Sequence, residues 1–252
     1  MTKHLNEKSL AEQPVIDWLK ELGYDYEFGP DLAPGQVTSE REKKLTAYHE
    51  AGHALVAHML PNTDPIRKIS IISRGRAAGY TLKLPESDKY MITRQEMIEE
   101  ISVLLGGYET EKEVFGDVTT GASNDLKKAT DIAKRLITQY GMSDKLGPRT
   151  FGEHHEMIFL GREITEQRDY SEKMAEQIDQ EILRFITSSQ EIARNILKKF
   201  RAKLDEIAGI LIKKETLERE EFESLFKGMI IKKNQTTTQG SEIEILAHPQ
   251  NA

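Results

Sequence analysis

His49-Glu50-Ala51-Gly52-His53 sets two imidazoles four residues apart and places a carboxylate directly after the first. On an α-helix, positions i and i+4 share a face about 6 Å apart along the axis, so both rings can aim at one point. That suits a zinc ion, which takes nitrogen ligands at about 2.0–2.1 Å. Glu50 is turned about 100° from His49, so it leaves the metal to its neighbours and can meet a metal-bound water as a base. Zinc brings the pKa of such a water towards about 7, and a carboxylate that accepts its proton produces hydroxide beside a polarised carbonyl at neutral pH. The chemistry implied is hydrolysis, most naturally of a peptide bond. Gly52 costs about 1 kcal/mol of helix propensity against alanine and reads either as a close backbone approach at that point or, equally, as tolerated slack.

A hydrolytic zinc site needs a third protein ligand and an open fourth position. The chain has no cysteine, so only His, Asp or Glu can supply it. His58 lies half a turn round the helix from His49 and cannot converge, while His154 and His155 sit in an irregular stretch. Asp125, in "TTGASNDLKK", falls in the first turn of a helix, where the helix dipole keeps a carboxylate ionised. Taken alone it reads more often as a helix-start residue than as a ligand, and Glu111 and Glu113 compete with it on spacing.

The surrounding elements must hold these groups. Ser39 to Glu42 forms an S-x-x-E capping box, so the spacing predicts a helix from there to Pro61 with the two histidines inside it. "IRKISIISR" and "AGYTLKLP" read as adjacent strands. A second capping box, Thr93 to Glu96, opens a helix with Met97, Ile98, Ile101, Leu104 and Leu105 on its apolar side. A third helix begins near Ser123 or Asn124 and stops at Gly141. "LGPRTFGEHHEMIFLGREI" reads as irregular with a short strand or two. From Ser171 an apolar stripe of about 3.6-residue period crosses two helices, with a short third from Glu218 to Phe226. The expected class is mainly α (α+β), with a small β-sheet and a C-terminal helical bundle.

Composition narrows the function. Hydrophobic residues make up 38% of the 252, enough to bury a real core. Lys and Arg number 35 against 42 Asp and Glu, and a net charge of −7 gives no counterion-release attraction to nucleic acid. The lack of cysteine fits a reducing compartment, and a cytoplasmic location is expected. The N-terminus carries no apolar signal region, no stretch approaches the roughly 20 apolar residues of a membrane helix, and no phosphate-cradling GxxxxGK[ST] loop occurs.

The order and spacing of "LTAYHEAGHALVAHMLP", "DPIRKISIISRGRAAGYTLKLPE", "VLLGG", "VFGDVTTGASNDLKKATDIAKRLITQYGMSDKLGP", "FLGREI" and "RDYSEKMAEQIDQE" closely resemble the zinc peptidase domain of FtsH-type AAA+ proteases, over about Ser39 to Lys227. The resemblance implies a helical zincin-like peptidase domain with Zn2+ held by His49, His53 and Asp125 and with Glu50 as the catalytic base. It also implies homo-oligomers in the form of hexameric rings, and a strand, "GYTLKLP", that flanks the active site and can pair with an extended substrate. The activity expected is that of a zinc-dependent endopeptidase acting on unfolded or flexible proteins, and the alternative is a non-catalytic scaffold or adaptor that retains the peptidase shell.

Three departures qualify this. Family members usually carry transmembrane helices and an AAA+ ATPase before the peptidase; this chain has neither, so unfolding power is expected to be absent or lent by a separate ATPase. Where the family often reads GGRAAEE, the chain has "GGYETEK", with Tyr108 and Lys112 at changed positions and Glu111 kept only as a group that supports the ligands or as a runner-up ligand. "KSLAEQPVIDWLKELGYDYEFGPDLAPG" resembles instead the opening of type I restriction-enzyme motor subunits, without their nuclease or helicase motifs. The expected division is a helical appendage and linker over 1–38, with a boundary at the Gly/Pro-rich Gly29 to Gly35, the peptidase domain over 39–231, and a disordered tail over 232–252.

Overall fold

A computed structural model describes residues 39–72, 79–84, 91–152, 170–227 and 229. The expectations for the N-terminal helix, the Gly/Pro boundary, His154, His155 and the tail from residue 232 lie outside the described residues. The chain divides into two compact units, Met1–Glu40 and Arg41–Ala252. All but the last two residues of the first are outside the described set, and the described helices and strands build the second.

Helix α1 (Glu40–Met59) begins one residue past Ser39 and ends before Pro61. It is buried on nearly every side from Thr46 to Met59, which its many small residues permit. Ala47, Ala51 and Ala54 are fully enclosed, and the helix runs through the core with Thr46, His49, Glu50 and His53 buried along it. Gly52 marks the tightest approach: a Cβ there would fall 2.2 Å from Thr110 Oγ1 and 2.7 Å from the Gly106 carbonyl oxygen, both on helix α2 (Arg94–Phe115).

Strands β1 (Ile66–Ser70) and β2 (Tyr80–Lys83) pair antiparallel. Strand β3 (Thr216–Glu218), absent from the sequence expectation, adds to the other side of β1, so the sheet order is β2-β1-β3. Helix α2 is capped as its sequence predicts. Thr93 Oγ1 accepts from the Glu96 amide at 3.2 Å, and the Glu96 carboxylate accepts from the Thr93 amide at 2.7 Å. The helix closes at Gly116, whose φ of 72° is the left-handed value glycine adopts without cost. A short 3₁₀ turn, Thr120–Ala122, then leads into helix α3 (Ser123–Thr138).

Ser171 caps helix α4 (Glu172–Lys199) by accepting from the Met174 amide. Helix α5 (Arg201–Lys214) follows after a break at Phe200, and helix α6 (Arg219–Ser224) closes the described chain. Two apolar clusters result. One gathers α1, β1, β3, α5, α6 and the C-terminal half of α4 around Leu55, Ile69, Leu204 and Phe222. The other joins α2, α3 and the N-terminal half of α4 through Ile101, Leu136 and Phe185. Helix α2 contributes to both, which places it between α1 and α3. The class is as expected, mainly helical with a small antiparallel sheet. None of the described helices is long and apolar enough to cross a membrane.

Candidate metal centre

The four-residue spacing on α1 brings His49 and His53 together with their Nε2 atoms 3.0 Å apart. Asp125, in the first turn of α3, directs Oδ2 at the same point, 3.5 Å from His49 Nε2 and 3.4 Å from His53 Nε2. These three side chains form the one group of three or more candidate metal-ligating residues among the described residues. Both histidines are only 8% exposed, so the cluster is largely withdrawn from water.

The remaining nitrogen of each ring is already engaged. His49 Nδ1 lies 2.7 Å from Glu111 Oε1, and His53 Nδ1 lies 2.7 Å from the Val103 carbonyl oxygen. Both partners accept only, so each Nδ1 carries its ring's proton and each Nε2 is left with a lone pair. Two lone pairs and a carboxylate oxygen then face one another with no donor hydrogen between them. That arrangement repels itself unless a cation lies at its centre. A tetrahedral ion with bonds of about 2.0–2.2 Å needs its ligand atoms roughly 3.3–3.5 Å apart, and the distances observed sit close to that range.

The proton affinities carry the same signature. Burial alone would lower the His49 pKa, but bonds to Asp125 and Glu111 and the nearby Glu50 charge outweigh it and raise the pKa to about 9. Burial would raise the Asp125 pKa; the two imidazoles overcome that and hold it well below the usual carboxylate range. Without a metal ion, a proton takes the position of the cation.

Glu50 is 7% exposed and its carboxylate lies apart from this cluster, accepting from Thr81 Oγ1 at 2.7 Å. The hairpin therefore reaches the site through β2. Gly79 allows this approach, since a Cβ there would come within 3.0 Å of Glu50 Cγ and 2.9 Å of Thr46 Cγ2.

The competing candidates fall elsewhere. Glu111 is fully buried, with Oε1 on His49 Nδ1 and Oε2 accepting from the Thr119 amide at 2.6 Å. It orients the His49 ring and ties down the loop ahead of Asp125. Glu113 pairs with Lys198 at 3.3 Å, on the side of α2 towards α4. His58 stacks against Phe226, ring centroids 3.9 Å apart, and meets Phe222 edge-on. Thr81, Thr119 and the Val103 carbonyl were not among the sequence candidates. Only Glu111 left a trace there, as an acid on the helix that follows the hairpin.

Fold and cluster together define a class: a mainly helical protein with an HExxH helix whose histidines converge on an acid from a second helix. The peptidase family M41 model matches residues 36–225, three quarters of the chain, and the chain belongs to that family. Relatives include the ATP-dependent zinc metalloprotease FtsH of Pseudothermotoga lettingae, 49% identical over 193 residues, 76% of this chain and 31% of that protein. ATP-dependent zinc metalloprotease FtsH 1 of Thermoanaerobacter sp. is 51% identical over 200 residues, 79% of this chain and 33% of its own length. FtsH 2 of Alkaliphilus metalliredigens is 46% identical over 231 residues, 92% of this chain and 33% of its own length. The chain thus spans about a third of the length of these relatives.

Proposed function

We propose that the chain is a zinc-dependent endopeptidase module that hydrolyses peptide bonds in unfolded or flexible polypeptides. His49, His53 and Asp125 are the metal ligands and Glu50 is the general base. The observation that carries this is the convergence of two Nε2 lone pairs and a carboxylate oxygen, each imidazole being held by a separate acceptor at Nδ1. The names of the relatives, zinc metalloproteases, support zinc as the ion.

A zinc ion held there supplies a Lewis acid for the scissile carbonyl and an acidified water at neutral pH. Glu50 takes the proton from the attacking water and returns it to the leaving amine nitrogen, while Thr81 keeps its carboxylate oriented. An extended substrate adds to the outer edge of β2, which pairs on its other side with β1. Main-chain hydrogen bonds of that kind bind with little side-chain selectivity, as a protease of unfolded chains requires. Residues 39–231 form the peptidase unit, self-association is the expected assembly, and an ATPase supplies unfolding of folded substrates.

The test uses unfolded casein, so that no unfolding motor is needed. The wild-type chain is expected to bind one zinc, to cleave, and to lose activity to a chelator. Glu50→Gln is expected to keep the zinc and lose at least about 100-fold in turnover. Full activity in that variant defeats Glu50 as the base, and bound zinc without any turnover in the wild type favours the scaffold reading.

A further inference from the structure

Residues of α2 at four-residue spacing lie on one stripe of the helix. On the stripe Val103, Gly107 and Glu111, every member touches an imidazole of the cluster. Val103 offers its carbonyl oxygen to His53 Nδ1, and Glu111 offers its carboxylate to His49 Nδ1. Gly107 lies between them with no side chain, and the reason is steric. A Cβ at Gly107 would fall 2.5 Å from His49 Cε1, 2.5 Å from Nε2 and 2.7 Å from Nδ1. Its three nearest neighbours are the two nitrogens and the carbon between them, the end of the ring that does the chemistry.

Other glycines differ. Gly106 faces the Gly52 backbone, where a Cβ would come 3.0 Å from a carbonyl oxygen, so its bareness serves helix packing. Gly209, in α5, has nothing within 4 Å of the same position. Among the described glycines, only at Gly107 does the missing side chain make room for a candidate ligand.

We propose that Gly107 is a positioning residue of the metal centre: its bare backbone lets the His49 ring sit where Nδ1 reaches Glu111 and Nε2 reaches the ion at once. A methyl group there displaces the ring, and one of the two engagements is given up. The inference rests on the metal-site reading above.

The experiment titrates metal-free full-length chain with Co2+, whose visible bands report coordination geometry, in wild type and Gly107→Ala. The variant is expected to bind at least about tenfold more weakly, with altered bands. Equal affinity and identical bands overturn the proposal. Failure of the wild type to bind cobalt or zinc overturns the metal-site reading, and this inference with it. A second measurement separates ring displacement from general damage. Gly107→Ala is expected to lower the melting temperature of the metal-free protein, but to raise it in a His49→Ala background, where the ring no longer occupies the space. An equal drop in both backgrounds overturns the proposal.

Discussion

Thr81 Oγ1 donates a 2.7 Å hydrogen bond to the Glu50 carboxylate, joining the middle of β2 to the HExxH helix. Thr81→Val keeps the shape and removes the donor. The expected outcome is unchanged zinc content with turnover reduced by about tenfold, because the carboxylate loses the contact that orients it. Steady-state kinetics beside metal analysis checks this; lost zinc or unchanged turnover runs against it.

In the metal-free protein His49 holds its proton up to about pH 9, although burial favours the neutral ring, because Asp125 and Glu111 hydrogen-bond the charged form. A pKa raised on folding stabilises the metal-free fold fully below the unfolded value of about 6.5, and that contribution is lost as pH rises through 9. Zinc competes with the same proton. Its apparent affinity is therefore expected to rise about tenfold per pH unit between pH 7 and 9, with close to one proton released per ion bound. Calorimetry at pH 7.5 in buffers of different ionisation enthalpy measures that proton directly; zero proton release contradicts a His49 that is charged in the metal-free protein.

Gly209 occupies the interior of α5 with open space where a side chain would stand. Gly209→Ala is expected to raise stability by about 0.5–1 kcal/mol, from helix propensity alone. Denaturant unfolding with an unchanged m-value would bear this out, and a loss of stability would mean that α5 packs more tightly there than it does in this structure.

Much of the fold was legible because its signals are local. The capping box at Thr93 and Glu96 forms as read, and the β-rich runs pair as neighbours. The helical stripe beyond Ser171 breaks into α4 and α5 as two helices, at Phe200. β3 escaped notice because three residues between two helices carry no alternation of their own; its pairing with β1 comes from a chain reversal at Glu215, whose φ is +63°.

The site divides the same way. His49 and His53 were legible from spacing alone, since one helix sets their distance. Asp125 stood out among the remaining candidates but read more often as a helix-start residue, because its approach depends on how α3 packs, and the resemblance to a known family decided for it. Glu111 stayed ambiguous for the same reason. Along α2 it competes as a ligand, and only the distance to His49 Nδ1 makes it the orienting group. Gly107 is silent in sequence, since what matters is a ring that another helix brings against it.

The central claim is that two imidazoles and one carboxylate hold a single zinc ion. X-ray absorption at the zinc edge of the purified chain tests it most directly. The account predicts two imidazole nitrogens at about 2.0–2.1 Å, with the remaining ligands oxygen, and a loss of bound zinc in Asp125→Ala. A spectrum with three or more imidazoles, or an Asp125→Ala protein that keeps its zinc unchanged, contradicts it.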